Sequence, residues 1–397
     1  MPKLAFARNL AQAALLVKQL DLKTPSWEDQ DWRAPVRKEI ARIIEEKLVG
    51  FVSNRINELA RQGIPDRRNG YYCRNLLTEM GNIQLRVPRS RTFSAVRFIQ
   101  KYARRTREVD RLILAGFIFG LSTRKVSKVL INILGERVSP ALVSRVAKSL
   151  DAAVEAFHRR PLKDIYRVLL FDGVVLARKT GAGAIRRPVL VAMGILPDGR
   201  REVIDFCLAK SESEAEWERF LTSLQKRGLE GKPVLLMCSD GGRGLLAALE
   251  MAWPEVRVQR CWAHKMRNLT DKVRKKDRQA LKRSLQKIYR AKNQVKARAA
   301  AAQCAQRWQG KYPRVVASLR EDLEELLNFF IFSEEKWRRA TRTTNAIERR
   351  FVEVRRRTRP MGVFSDRTSM ERILFAVFTQ ENVSQGVWSP LLLTQKN

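Results

Sequence analysis

Three acidic residues stand where carboxylates commonly serve metal-ion chemistry. Asp172 lies at the centre of the apolar run 169–176, where a lone carboxylate is costly to bury unless it meets a cation or a metal. Asp240 follows the apolar run 234–239 and precedes two glycines, a frequent active-site position at the carboxyl end of a strand. Glu348 begins a predicted helix. Oxygen ligands from separated elements suit Mg²⁺, and two ions about 4 Å apart would support phosphoryl displacement.

Each of these acids also has a structural interpretation. Asp172-Gly173 between apolar residues is a strong hairpin-turn signal, and Asp240-Gly241 is also typical of a turn. Asn345 can cap a helix, with Glu348 three residues later completing a capping-box-like pair. From the residues alone, both interpretations stay open for each acid.

Histidine and cysteine are too scarce for most other catalytic centres. The chain has 2 histidines and 5 cysteines, and no two cysteines form a CxxC pair. This excludes a metal centre built from several histidines and argues against a Ser-His-Asp enzyme and a disulfide framework. Cys261 and His264 supply only two of the four ligands of a tetrahedral zinc site. Any metal is therefore expected to be held by carboxylates.

The composition of the chain indicates which class of partner it binds. At 397 residues and 45% hydrophobic residues, the chain has ample material for a core, and about two to three domains are expected. Its 78 Lys and Arg against 41 Asp and Glu give a formal charge of +37, which favours nucleic acid as the partner. The longest nearly apolar run, 112–121, is far shorter than the roughly 20 residues of a membrane-spanning helix. No membrane partner and no secretion signal are predicted.

The N-terminal part reads as mainly helical. Apolar spacing predicts a helix over 36–59, strands within 71–87 and three short helices within 104–150. The spacing of the last two short helices is that of a helix-turn-helix unit, in which Ser144, Arg145 and Lys148 would face outward. An ordinary three-helix bundle with a solvated basic face is the alternative.

A different organisation begins near residue 165. Three buried-strand patterns, then alternating helix and strand, predict an α/β fold with a mixed sheet and helices packed on it. From 265 to 320 the chain is helical by propensity, with 18 Lys and Arg against two Asp. The predicted regions are an N-terminal helical and small β region (1–103), a helix-turn-helix-like region (104–160), the first part of the core (161–264), a basic helical insertion (265–335), the core's late helix and C-terminal part (336–385) and a tail (386–397).

Several short blocks carry a resemblance to a known family. They are Phe171-Asp172-Gly173, Cys238-Ser239-Asp240-Gly241-Gly242, Cys261-Trp262-Ala263-His264 and Thr343-Thr344-Asn345-Ala346-Ile347-Glu348-Arg349, followed by the arginine run 355–359. In these blocks the sequence resembles the bacterial Mutator-type insertion-sequence transposases. Spacings of 68 residues between the two aspartates and 108 from Asp240 to Glu348 support the match.

The resemblance implies a fold and a chemistry. The fold would be an RNase H-like mixed sheet flanked by helices, with an all-helical insertion and a mainly helical N-terminal DNA-binding region. Asp172, Asp240 and Glu348 would form a DDE triad that binds two Mg²⁺ ions, for which Mn²⁺ can substitute, and His264 would lie close by. The activity would be metal-dependent DNA cleavage and 3′-OH strand transfer at terminal inverted repeats.

The same resemblance implies partners and contacts. The partners would be double-stranded DNA, as element ends and target, and further copies in a homodimer or larger assembly, within the bacterial cytoplasm at the nucleoid. From 336 to 359 ten basic residues meet only two acids, so phosphate contacts are the economical explanation, although charge runs are often simply solvated. Trp262 is a candidate for base stacking, with a buried core tryptophan as the alternative. The predicted DNA contacts are Ser144, Arg145, Lys148, Trp262, Arg338, Arg342, Arg349, Arg355 and Arg356.

Two other functions compete with this one. A non-catalytic, sequence-specific DNA-binding regulator would use the same basic surfaces without needing all three acids. A structure-specific RNase H-like nuclease would cut DNA without joining a 3′ end to a target.

Overall fold

The structure is a computed structural model, and its described residues form two compact units. The first unit comprises residues up to 112 together with 127–138, and the second comprises 113–126 together with 139–397. The described residues are 31, 33–93, 95, 104–136, 138–180, 183–361 and 367–388. Most of the predicted tail lies outside them. The predicted boundaries at 103, 160, 264, 335 and 385 stay predictions.

A long helix packed on a hairpin forms the body of the first unit. Helix α1 (Arg33–Arg61) precedes strands β1 (Arg68–Thr78) and β2 (Gly81–Ser90), which pair antiparallel. Alternate residues of β2 point into the core, because successive side chains of a strand face opposite sides. The predictions of a helix over 36–59 and of strands within 71–87 are confirmed. The core of this unit consists of Leu48, Val52, Leu76, Ile83, Leu85, Val87 and Ala95.

Four short helices follow. They are α2 (Arg107–Ile118), α3 (Thr123–Leu134), α4 (Pro140–Ala147) and α5 (Leu150–Arg159). Ser139 Oγ caps α4 by accepting a hydrogen bond from Leu142 N at 3.2 Å, as the sequence predicted. Val143 and Val146 are buried, Leu142 is only half-buried, and Arg145 and Lys148 are exposed. The short helices are confirmed, whereas the helix-turn-helix interpretation stays a prediction.

A five-stranded mixed sheet is the centre of the second unit. Its strands are β3 (Val168–Thr180), β4 (Gly183–Ile195), β5 (Arg201–Leu208), β6 (Leu236–Ser239) and β7 (Val258–Arg260), in the order β5-β4-β3-β6-β7. The pairs β3–β4 and β4–β5 are antiparallel, and β3–β6 and β6–β7 are parallel. The predicted α/β class is confirmed.

The pairing of β3 with β4 shows that Asp172 lies within a strand and not in a turn. Asp172 pairs with Val191 in the middle of the β3–β4 ladder, and pairing continues as far as Thr180 with Gly183. The hairpin-turn interpretation of Asp172-Gly173 is therefore wrong. Its local signal was real, but the apolar residues on both sides belong to one long strand.

Two helices cover the sheet with amphipathic faces. Helix α6 (Glu214–Lys226) buries Trp217, Phe220, Leu221 and Leu224, the face that the sequence predicted. Helix α7 (Arg243–Ala252) follows β6, and Trp253 after it stacks on Phe171 with ring centroids 6.0 Å apart. These contacts hold β3 beneath a rigid apolar layer, so the side chain after Phe171 has little freedom of position.

A helical segment separates β7 from the last two helices. It contains α8 (Trp262–Asp271), α9 (Lys275–Tyr289), α10 (Gln294–Trp308), α11 (Pro313–Glu321), α12 (Leu323–Leu327), a 3₁₀ turn (Asn328–Ile331) and α13 (Glu335–Thr341). Its basic charge is partly neutralised from within: Asp322 pairs with both Lys265 and Arg260, and Glu324 pairs with Arg298 at 2.6 Å. Acids that follow residue 320 therefore offset part of the basic charge of the segment 265–320.

The chain then adds two helices, the second of which the sequence did not predict. Helix α14 (Asn345–Met361) matches the predicted late helix, and α15 (Arg367–Ser384) buries ten of its residues. The side chain of Asn382 in α15 makes two hydrogen bonds with the backbone of Val203 in β5. Its Oδ1 accepts from Val203 N at 2.8 Å, and its Nδ2 donates to Val203 O at 3.0 Å. None of the helices in the described ranges is long and apolar enough to cross a bilayer.

The Asn382 contact predicts a specific loss of stability. We expect Asn382→Ala to lower the free energy of unfolding by about 2–4 kcal/mol, because the buried N–H and C=O of Val203 both lose their partner. The measurement is urea unfolding followed by tryptophan fluorescence. Ser384→Ala removes only an exposed bond within the same helix, from Ser384 Oγ to Gln380 O, and is the control. Equal stability of the two variants would contradict this role for Asn382.

Candidate active site

The parallel pairing of β3 with β6 brings two of the predicted acids side by side. Leu170 pairs with Cys238, the last pair of that ladder. Asp172 stands two residues further along β3, and Asp240 follows Ser239, the last residue of β6. The pairing of the two strands therefore brings the loop that carries Asp240 next to the part of β3 that carries Asp172.

Asp172 is the most deeply buried acid of the site. Its side chain belongs to a residue only 1% exposed, and Oδ2 has no hydrogen-bond partner among the described residues. Burial raises the pKa of this carboxyl to about 7, a rise that the charge of His264 opposes and those of Asp240 and Glu348 support. An unsatisfied buried carboxylate oxygen costs free energy, so this position calls for a cationic ligand or a proton.

Glu348 reaches the same place from the first turn of α14. Its Oε1 lies 3.5 Å from His264 Nε2 and 3.6 Å from Arg267 Nη2, and its side chain is 36% exposed. The ligand atoms of Asp172, His264 and Glu348 all lie within 4.8 Å of one another. Helix α14 begins at Asn345 itself, so Asn345 does not precede the helix as a capping residue would. Glu348 instead contacts His264 and Arg267, and it forms one cluster with His264 and Asp172.

His264 carries a positive charge at neutral pH. Its pKa is raised to about 9, chiefly by the interaction with the neighbouring Cys261 side chain, against the effect of burial, and further by the charges of Asp172 and Asp240. The imidazolium therefore balances part of the negative charge of the carboxylates. His264 was expected near the acids only from the family resemblance, and it lies beside two of them.

Cys261 joins two separate segments at this point. Its Sγ accepts hydrogen bonds from Thr344 N at 3.3 Å and Thr344 Oγ1 at 3.5 Å. Burial alone would raise the pKa of the thiol, but the hydrogen bond and charge of His264 and the bonds from Thr344 bring it below its ordinary value. Within the described residues, the only cluster with metal-ligand geometry is Asp172 with His264 and Glu348, and Cys261 is not part of it.

Asp240 lies just outside that cluster. Its Oδ1 accepts a hydrogen bond from Gly242 N at 2.9 Å, so the residue does form the Asp-Gly turn that the sequence suggested. It nevertheless acts electrostatically on the site, because its charge contributes to raising the pKa of Asp172 and of His264. The turn interpretation of Asp240 is confirmed, and its role as a metal ligand stays a prediction.

Glu212 is an acid of this site that sequence reasoning missed. A Cβ atom added to Gly173 would lie 2.7 Å from Glu212 Cδ and 2.8 Å from its Oε1, so the carboxyl group of Glu212 rests directly on Gly173. Burial, and then the charge of Asp240, raise the pKa of Glu212. The signal was the glycine after Asp172, which can indicate the close approach of another group as well as a turn.

A cleft of about 540 Å³ opens over the acids. Its walls include Asp172, His264 and Glu348 together with basic side chains. The basic side chains are Arg267, Arg349 and Arg355. A site with carboxylates at its base and arginines at its rim can accept a metal-bound phosphodiester.

The other predicted DNA contacts have unequal surroundings. Trp262 is 1% exposed and its Nε1 donates to Leu326 O at 2.7 Å, which favours the core interpretation over base stacking. Arg338 donates to the carbonyls of Phe332 at 2.7 Å and Lys292 at 2.8 Å, which favours a structural role. Arg356 is exposed and pairs with Glu353. Ser144, which is partly exposed, and the exposed Arg145 and Lys148 remain open to solvent.

Comparison with known proteins identifies related chains. Residues 9–386 match the family described as "Transposase, Mutator family". The chain is 30% identical to the transposase for insertion sequence element IS905 of Lactococcus lactis over 90% of each chain. It is 31% identical to the transposase for ISRM5 of Rhizobium meliloti over 87% of this chain and 88% of that one. It is 32% identical to the transposase for IS256 in transposon Tn4001 of Staphylococcus aureus, over 78% and 80%.

The Cys261 contact predicts how His264 titrates. We expect Cys261→Ala to bring the pKa of His264 down from about 9 towards its ordinary 6.5, because the variant lacks the neighbouring side chain that is the largest cause of the rise. The measurement is a pH titration of the histidine ring protons by NMR, where His158→Gln assigns the two signals. An unchanged His264 titration in Cys261→Ala would contradict this cause.

The same shift has a consequence for stability. Since the folded-state pKa of His264 is raised, its charged form contributes stability that is fully present below pH 6.5 and is lost as the pH rises through about 9. Cys261→Ala should reduce that loss, as measured by thermal unfolding over the same pH range. A wild-type protein with the same pH dependence as the variant would show that the link is absent.

Proposed function

Because the chain belongs to the Mutator family of transposases, we propose that it cuts DNA at the terminal inverted repeats of an insertion sequence and joins the freed 3′ end to target DNA. One observation carries the proposal. The ligand atoms of Asp172, His264 and Glu348, from β3, α8 and α14, converge within 4.8 Å, and Asp240 follows the neighbouring strand β6. Ionisable groups with shifted pKa values that meet in a cleft are typical of active sites.

The donor set fits divalent metal ions such as Mg²⁺ or Mn²⁺. Asp172, Asp240 and Glu348 offer hard carboxylate oxygens, and Oδ2 of Asp172 is buried without any hydrogen-bond partner. These three residues would hold the metal, two ions being the number that phosphodiester chemistry commonly uses. Once bound, such ions supply Lewis-acid activation of a water or 3′-hydroxyl and stabilise the leaving oxygen.

The surrounding residues have separate tasks in this proposal. Arg267, Arg349 and Arg355 line the cleft and bind the phosphates on either side of the scissile bond. His264, held protonated by Cys261, keeps its Nε2 proton beside Glu348 and limits the repulsion among the carboxylates. Asp240, whose Oδ1 accepts from Gly242 N, would have to give up that contact to hold a metal together with the other two acids.

We also propose that the second unit has an RNase H-like core. The mixed sheet, with antiparallel strands on one side of β3 and parallel strands on the other, supports this assignment. So does the position of Asp172 on β3 and of Asp240 directly after β6, the strand that pairs parallel with β3. The exposed Arg145 and Lys148 of the N-terminal helical part would then contact the terminal repeats, with the helix-turn-helix interpretation as its basis.

Coordinated cutting and joining requires two DNA ends at once. We therefore propose that the protein acts as a homodimer or larger symmetric assembly on double-stranded DNA. The formal charge of +37 supports this, because paired DNA ends concentrate the phosphates that such a charge requires.

The metal-binding role of the acids predicts the behaviour of an isosteric variant. We expect Asp240→Asn to reduce strand cleavage by about three orders of magnitude, because several kcal/mol of metal-dependent stabilisation are lost. DNA binding should keep its affinity and its salt dependence. The measurement is incubation with candidate element ends plus Mg²⁺ or Mn²⁺, with and without EDTA, scoring nicked and joined products.

Asp271→Asn is the matched control, because Asp271 is an exposed acid at the end of α8. Cleavage by Asp240→Asn at the wild-type rate would refute the assignment. Efficient nicking without joining of the 3′ end would favour the structure-specific nuclease. Binding without any cleavage by the wild-type chain would favour the non-catalytic regulator.

The raised pKa of Asp172 predicts a pH dependence of metal binding. Because its folded-state pKa is about 7 instead of 3.8, Mg²⁺ must displace a proton below that pH. We expect the apparent Mg²⁺ affinity to rise about tenfold per pH unit below pH 7 and to level off above it. Isothermal titration calorimetry across this range tests it, with Asp172→Asn as the variant that loses the dependence. A flat affinity profile in the wild type would contradict the prediction.

A further inference from the structure

A second cavity adjoins the acidic cleft. Its volume is about 350 Å³, and it shares Asn345 and Arg349 with the cleft that contains Asp172 and Glu348. We call it the arginine cavity, after the four arginines that line it. These are Arg201, Arg339, Arg342 and Arg349.

The positive charge of the arginine cavity is largely unbalanced. None of the described residues that line it is acidic, and of its four arginines only Arg339 has a carboxylate partner, Glu335 at 3.0 Å. Arg201 Nε is buried and has no hydrogen-bond partner in the described part of the chain. An unpaired buried cation next to other cations is costly, so the cavity favours an anion.

The arginines are held in place before any ligand binds. The guanidinium of Arg342 lies over the ring of Tyr289, 5.0 Å from its centroid, and the carbonyl of Arg342 accepts from Trp262 N at 3.0 Å. The rings of Trp262 and Tyr289 lie 5.3 Å apart, and the Trp262 indole is fixed by its bond to Leu326 O. Such an arrangement reduces the entropy lost when an anion is bound.

We propose that the arginine cavity binds a phosphate of a DNA strand beside the one at the acidic cleft, an inference that rests on the proposed function. Several guanidinium groups match phosphate oxygens in charge and geometry. The volume, at the lower end of the range for small-ligand sites, accommodates more than a bare ion. Arg349 and Asn345, common to both spaces, place this phosphate next to the reacting position.

The phosphate has two possible sources. One is the phosphomonoester at the 5′ end of a cut strand, and the other is an internal phosphodiester of a continuous strand. Both present anionic oxygens to the same arginines, and only the monoester brings a second negative charge. The probes are therefore fluorescein-labelled oligothymidines of equal length with and without a 5′-phosphate.

Binding to these probes is measured by fluorescence anisotropy with the full chain in EDTA, so that no cleavage occurs. We expect Arg201→Gln to weaken binding by at least about tenfold, since a charge-assisted contact is lost. The slope of log affinity against log salt should fall by about 0.7. Arg342→Gln should behave similarly. Arg159→Gln, which removes an exposed arginine that pairs with Glu155, should match the wild type in both quantities.

Stability separates a ligand-binding role from a structural one. Arg201→Gln removes an unpaired buried charge, so without DNA its melting temperature should equal or exceed that of the wild type. A lowered melting temperature together with weaker binding would assign Arg201 a structural role and overturn the proposal. A preference of the wild type for the 5′-phosphorylated probe that Arg201→Gln loses identifies the strand end as the source, whereas equal loss for both probes identifies the internal phosphate.

The outcomes also distinguish this inference from the proposed function. Unchanged binding by Arg201→Gln, in a protein that still cleaves and joins DNA, would overturn the inference alone. Arg201-dependent binding in a wild-type protein without metal-dependent cleavage would overturn the proposed function alone.

Discussion

The site depends on one buried carboxylate in the middle of a β-ladder. Asp172 cannot leave the interior, because both of its neighbours along β3 are fixed by pairing with β4 and Phe171 is stacked under Trp253. Burial makes ionisation of Asp172 costly, as its pKa of about 7 shows. The cationic His264 beside Asp172 offsets this charge, and the cleft over Asp172 gives cations access to it.

Near Asp172 the fold connects segments that are distant in sequence. Cys261 accepts two hydrogen bonds from Thr344, and Trp262 N donates to Arg342 O at 3.0 Å, so the start of α8 is bound to the residues just before α14. Both connections lie within three residues of a group that faces Asp172. The Cys-x-x-His spacing therefore has a mechanical explanation: the cysteine holds the helix start, and the histidine one turn later faces the acids.

Sequence reasoning predicted the elements well where periodicity was strong. The apolar runs of β3 and α6, the cap at Ser139 and the late helix of Glu348 all carry local patterns that the structure repeats. The turn-or-ligand question for Asp172 could not be decided locally, because an Asp-Gly pair has the same signal in a hairpin turn and in a long strand. Pairing with Val191, a residue of another strand, decides it.

What the sequence could not predict depends on tertiary contact. Helix α15 has one apolar run, 373–378, between polar residues, so it has no amphipathic period, and its burial becomes evident only from its contacts with β5. Glu212 has no motif of its own and enters the site only because Gly173 leaves room for its carboxyl group. Arg201 is the first residue of β5 and belongs to no long basic run. Its proposed role follows from the arginine cavity that it lines, and no motif in the local sequence indicates that role.

The first turn of α14 explains how opposite charges coexist so closely. Consecutive residues on a helix are about 100° apart, so Glu348 and Arg349 project in different directions from adjacent positions. Glu348 faces the acids, where the positive end of the helix dipole favours a carboxylate. Arg349 reaches the arginine cavity as well as the rim of the cleft. The start of one helix can thus hold a metal-binding group and a phosphate-binding group beside each other. A DNA strand that contacts both groups must run in the direction that leads from Glu348 to Arg349.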